Sequence, residues 1–301
     1  LSLPEEAVAL SRAVAEGGGG LIEVVSDFTV YDDVPFNQMD PEIRQVKQHT
    51  EWAWMEHVMK EYKLPFSIGS GWGNDLADPD PTKHVGHFQR YDDHVAQGMT
   101  LKGQVMVRPQ GFLQCFESKL NHFNGSSTYQ ELKRTLSSQA FRDKLLEKET
   151  RSQILAECKE IYDPAPGETR GRADWYQYDN SRWYAWQAGY EPAEEDSIRS
   201  IARQDGRHVL DIAYDILSQD RGRGVMWRPH QNYGTGNLDQ TFNALMHDGC
   251  IPGTSDAGAH NAIMQDSTAS THMLTHFVRD RTRGKKMPIE FAVRRQTKDT
   301  A

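Results

Sequence analysis

The sequence is poor in cysteine, in long apolar runs and in positive charge, and each shortage excludes something. Among 301 residues there are three cysteines, Cys115, Cys158 and Cys250. They lie far apart and form no CxxC pair, so neither a disulfide framework nor a cysteine-rich zinc site is expected. This fits a reducing compartment and an expected cytoplasmic location. No apolar run reaches the length of a bilayer span, so no membrane partner is expected. The formal net charge is -9, which leaves no basic surplus to neutralise phosphates and argues against a nucleic-acid partner. The run RDRTRGKK from Arg279 to Lys286 is local and reads as a solvated helix end. Nor is there a phosphate loop. GGGG precedes its strand, whereas a phosphate loop follows one, which argues against a nucleotide-binding α/β domain.

What is present is a repeated plan of helix, breaker and strand. Pro4, Glu5 and Glu6 open a helix with a proline and acids in its first turn. Gly17 to Gly20 stop it, and LIEVVSDF follows as a buried strand. Asp40 and Pro41 cap a second helix, which ends at Leu64-Pro65 before FSIGSGW. A third helix near Asp92 to Gln97 leads to LKGQVMVRP, and Leu238 to His247 leads to CIPGTSD. Strands alternating with helices predict a parallel sheet, and short apolar strands fit one buried on both faces. Each strand runs into polar residues: Ser26 and Asp27, Ser70 and Trp72, Arg108, Ser255 and Asp256. A barrel and a doubly wound sheet both gather function at such C-terminal ends, so this alone does not choose between them.

Between Phe112 and Gly224 the plan lengthens. A mostly polar helical stretch is followed by ADWYQYDNSRWYAWQAGYEP, rich in aromatics including Trp175, Trp183 and Trp186. We divide the chain into barrel elements over 1–111, a helical and aromatic insertion over 112–224, and a last helix-strand-helix unit over 225–301. The insertion is long enough to act as a lid, although packing is the default role of most of its rings.

The segment GCIPGTSDAGAH concentrates the chemistry. Asp256 ends a strand, Ala257, Gly258 and Ala259 let backbone and ligand approach closely, and His260 can fold back to the same mouth. A carboxylate there can hold a metal, take a proton from water, or cap the next helix. Arg108 can pair bidentately with a substrate carboxylate or with a neighbouring acid. His84 and His87 can share a helix face, but with no third ligand at the right spacing these residues and His94 read as exposed loop and helix histidines. His230, Asn232 and Tyr233 sit in a polar, glycine-punctuated loop whose default is a turn.

Several stretches resemble one family. GTSDAGAH with THFVRDRTRGKKMPIEFAVRRQTKDTA, GYEPAEEDSIRSIARQDGRHVLDIAYDIL, GQVMVRPQGFL and LPEEAVALSRAVAEGGGGLIEVVSD are similar, in order, to the N-acyl-D-amino-acid deacylase branch of the amidohydrolase superfamily. The resemblance implies an α/β fold, a (β/α)8 TIM-like barrel of the amidohydrolase type. This chain would cover its later strands, about five to eight, plus the insertion. It implies a hydrolase of amide bonds in N-acyl amino acids, with a small-molecule amide substrate and a divalent metal, zinc in that family. Asp256 matches the last-strand aspartate that holds metal and shuttles the proton. His260 would orient the leaving group or oxyanion, and Arg108, Ser70 and Tyr233 would contact substrate.

The same comparison marks departures. The family's HxH pair and bridging residue precede the point where this chain would enter the barrel. Its strand-five and strand-six histidines fall on Val25 or Ser26 and on Ser70, none of which replaces an imidazole on zinc. The alternative is a degenerate barrel serving as a binding or scaffold subunit. The opening Leu1 and the helix pattern at Gln296 to Ala301 lead us to expect a piece of a longer protein. A homo-oligomer is compatible with all of this.

Overall fold

The computed structural model describes residues 4–25, 41–69, 85–109, 111–119, 121–162, 183–229, 232–233, 235–253 and 268–301. They group into two units, one built from the described residues of 1–109, 230–255 and 268–301, the other from those of 110–229.

In the first unit, helix and strand alternate: α1 (Pro4–Glu16), β1 (Ile22–Val25), α2 (Pro41–Tyr62), β2 (Phe66–Gly69), α3 (Val85–Ala96) and β3 (Leu101–Met106). α3 starts earlier than its sequence signal suggested. After the second unit's segment the chain returns. There it forms α9 (Asp239–Met246) and β7 (Cys250–Gly253), then α10 (Ala269–His272), a π-helix (Met273–Asp280) and α11 (Ile289–Gln296). The four strands form one parallel sheet in the order β1-β2-β3-β7. Strand neighbours thus follow chain order.

Alternation along the strands divides the sheet's faces. Phe66, Ile68, Leu101, Val105 and Cys250 join one buried cluster with helix residues such as Met55, Val58, Tyr91, Leu245 and Phe277. The intervening positions carry Glu23, Ser67, Lys102 and Gln104. Gln104 Nε2 donates to Glu23 Oε1 at 2.8 Å and to Ser67 Oγ at 2.9 Å, a polar ladder across three strands. Gly253 leaves room beside it: a Cβ there would meet the Gln104 side chain at 2.8–2.9 Å.

β7 is tied to the helices around it. Arg295 of α11, buried, donates to the carbonyls of Cys250 at 3.3 Å, Met246 at 3.3 Å and His247 at 3.0 Å, and meets Asp248 Oδ1 at 3.1 Å. A guanidinium has several donors in a fixed fork, so one side chain satisfies both a helix C-terminus and a strand carbonyl. In the π-helix, winding i→i+5 brings residues four apart nearly into line. Across the junction of α10 with it, His272 and His276 stack, with ring centroids 4.9 Å apart and planes 18° apart.

The second unit holds a three-stranded antiparallel sheet, β4 (Gly111–Gln114), β6 (Met226–Pro229) and β5 (Tyr184–Ala185), in the order β4-β6-β5. Its helices are α4 (Ser127–Thr135), α5 (Ser138–Leu145), α6 (Lys148–Tyr162), α7 (Ile198–Asp205) and α8 (Val209–Gly222). They share a core of Phe116, Phe123, Tyr129, Phe141, Trp183 and Tyr214. The α4 N-terminus is heavily capped. Ser126 Oγ accepts from Tyr129 N at 3.0 Å, and Glu157 of α6 accepts from Ser126 Oγ, Thr128 N and Thr128 Oγ1 at 2.5, 3.1 and 2.6 Å.

Candidate functional site

The C-terminal ends of β1, β2, β3 and β7 lie on one edge of the parallel sheet, because parallel strands in register end together. Arg108 stands two residues beyond β3. It is buried, and its Nη1 donates to Thr268 Oγ1 at 2.6 Å, ahead of α10. That bond sets the guanidinium just past the C-terminal end of β3. Of the other residues the sequence singles out, Ser70, Asp256 and His260 lie outside the described residues, as do Ser26, His84 and His230. The structure therefore does not bring Arg108 together with them or separate it from them.

Tyr233 is fully buried and belongs to the core cluster, and its hydroxyl accepts from Arg283 Nη1 at 3.2 Å. Those contacts hold its ring in the core. Its neighbour Asn232 is backbone-strained, with φ at 60°, and reaches back to the end of β3, where its Nδ2 donates to Met106 O at 2.8 Å. His94 is buried rather than exposed, packed on Trp52 with its Nε2 3.1 Å from Glu56 Oε1. The reason is local: α3 turns this residue, with Tyr91, toward α2. Burial works to raise the Glu56 carboxyl, but Lys60 and His94 outweigh it and hold the group below its usual range.

Sequence reasoning passed over Gln104 and its partners. The signal was available: LKGQVM alternates polar with apolar, which puts Lys102 and Gln104 on the face away from the helices. Asn232 also had a cue, since asparagine before Tyr-Gly suits a left-handed turn.

Among the described residues, no group of three or more His, Cys, Asp or Glu side chains is placed to hold a metal ion. The described residues alone therefore do not make up a metal site. Among them too, no helix is long and apolar enough to cross a membrane. Compared with protein-family models, curated proteins and solved structures, the chain finds no match.

Proposed function

We propose that this chain is part of an amidohydrolase-type barrel and hydrolyses carbon–nitrogen bonds of N-acyl amino acids or similar amides. The observation that carries the reading is the order β1-β2-β3-β7. A barrel adds its parallel strands in chain order, whereas a doubly wound sheet reverses direction at a switch point. The apolar cluster joins the helices to one set of strand positions, and Glu23, Ser67 and Gln104 of the alternate set are hydrogen-bonded across three strands. Beyond the strand ends the sequence places the acid, the imidazole and the guanidinium that the chemistry uses. Asp256 is assigned as the base for water attack on the acyl carbonyl. His260 is assigned to the leaving group or oxyanion, Arg108 to the substrate carboxylate, and Ser70 to substrate contact. A divalent metal, zinc by resemblance, would rest on Asp256.

The test is turnover of a panel of N-acyl amino acids by the protein and its Asp256→Asn form, with melting temperatures beside it. Loss of one general base should cost roughly 10²–10⁴-fold with little change in Tm. Equal turnover by the two forms would reduce Asp256 to a helix cap. A second reading, a barrel without chemistry that binds or scaffolds, is favoured by Val25 or Ser26, and by Ser70, at positions where the resemblance places histidines. No turnover of any substrate with any added divalent metal would put that reading first.

A further inference from the structure

Asn232 carries two departures from an ordinary loop residue. Its φ of 60° lies in the left-handed region, which asparagine tolerates at some strain and which clusters at functional sites. Its amide is also half used. Nδ2 donates to Met106 O at 2.8 Å. A backbone carbonyl only accepts, so the nitrogen must lie on that side and Oδ1 on the other; the amide cannot be turned around. The residue is 4% exposed, and among the described residues no donor reaches Oδ1. A buried carbonyl oxygen without a donor is rare in folded proteins and calls for a reason.

The surroundings supply one. Met106 is the last residue of β3, and Arg108 follows two positions on. The strand end that presents the guanidinium therefore also anchors Asn232. The loop is clamped from the other side as well, since Thr241 Oγ1 of α9 donates to Asn232 O at 3.4 Å. An acceptor fixed in this way costs little further ordering when a ligand arrives.

We infer that Asn232 Oδ1 is a substrate-binding acceptor that takes the N–H of a secondary amide whose carboxylate meets Arg108. This rests on the reading of the chain as acting on N-acyl amino acids, and deepens it. A site built to accept an N–H rejects the analogue that lacks it, because the buried oxygen is then left unpaired. Selectivity for secondary over tertiary amides is the consequence.

The experiment measures, by calorimetry, the affinity of an N-acetyl amino acid and of its N-methyl counterpart for the protein and for its Asn232→Gly and Arg108→Met forms. Turnover of the first ligand is followed in parallel. Glycine suits φ 60° and removes only the amide. The protein should favour the N–H ligand by about ten-fold, the size of one neutral hydrogen bond. Asn232→Gly should erase the preference, and Arg108→Met should weaken both ligands alike. If the glycine form fails to fold, the protein's own preference between the two ligands still decides. Absence of that preference, its persistence in Asn232→Gly, or failure to bind either ligand overturns the assignment. The expected binding pattern without turnover keeps Asn232 as an N–H acceptor and removes the hydrolase reading. Turnover without the preference does the reverse.

Discussion

Glu157→Gln should destabilise the second unit in a pH-dependent way. The carboxylate accepts from Ser126 Oγ, Thr128 N, Thr128 Oγ1 and Gln153 Nε2, and so closes the N-terminus of α4 from a helix that is not its own. Burial works to raise this carboxyl, but those donors outweigh it and bring it down to about 2. A shift from the ordinary 4.5 to about 2 would carry roughly 3 kcal/mol if the group were shielded from water. The side chain is partly exposed, and solvent screening discounts this to about 1–2 kcal/mol, close to the loss of one good cap. Because the folded-state value is depressed, the stabilisation is complete above about 4.5 and is lost as pH falls toward 2. Glutamine keeps the shape and one acceptor but loses the charge. Urea unfolding of both forms should differ by about 1–2 kcal/mol at pH 7, and the gap should narrow as pH falls below 4.5. Equal stability at pH 7, or a gap that does not change with pH, would refute the assignment of the cap's strength to charge.

Two further outcomes are expected. Arg295→Met should strip the donors from the α9 C-terminus and from Cys250 O, costing about 2–3 kcal/mol and lowering Tm by roughly 4–12 °C in a thermal melt; an unchanged Tm would make the guanidinium dispensable. Burial pushes the thiols of Cys158 and Cys250 up to about 12, whereas Cys115 is half-exposed. A thiol reagent at pH 8 should therefore label Cys115 alone, with all three cysteines reacting only after denaturation, as read by mass spectrometry.

The parallel sheet was legible because its strands are framed by strong punctuation. LIEVVSDF follows a glycine run, FSIGSGW follows Leu64-Pro65, and LKGQVMVRP follows Gly98; the observed strands lie inside these segments. The antiparallel sheet was not legible. Its strands GFLQ, YA and MWRP are two to four residues long, and Tyr184 and Trp227 pair across a wide sequence gap, so no local period announces them. The aromatic stretch divides as packing dictates. Trp183 is buried in the second unit's core, whereas Trp186 stands partly exposed against Trp227 and Tyr190. Arg108's place just beyond an apolar strand was legible from the order of residues. The half-used amide of Asn232 was not, because it depends on which carbonyl the folded chain brings within reach.

The π-helix from Met273 to Asp280 has a consequence for how the chain can change length. Each of its turns holds about one residue more than an α-turn of the same hydrogen-bonded ladder. The segment is thus slack stored in a helix. Loss of a single residue from it would let it rewind as α, and because seven α residues turn through about as much as eight π residues, the chain would leave the segment in nearly the same direction. Arg281, which follows the segment and meets Asp239 at 2.7 Å, would then keep its phase. Within these eight residues a one-residue deletion is therefore absorbed as a shortening rather than passed on as a rotation.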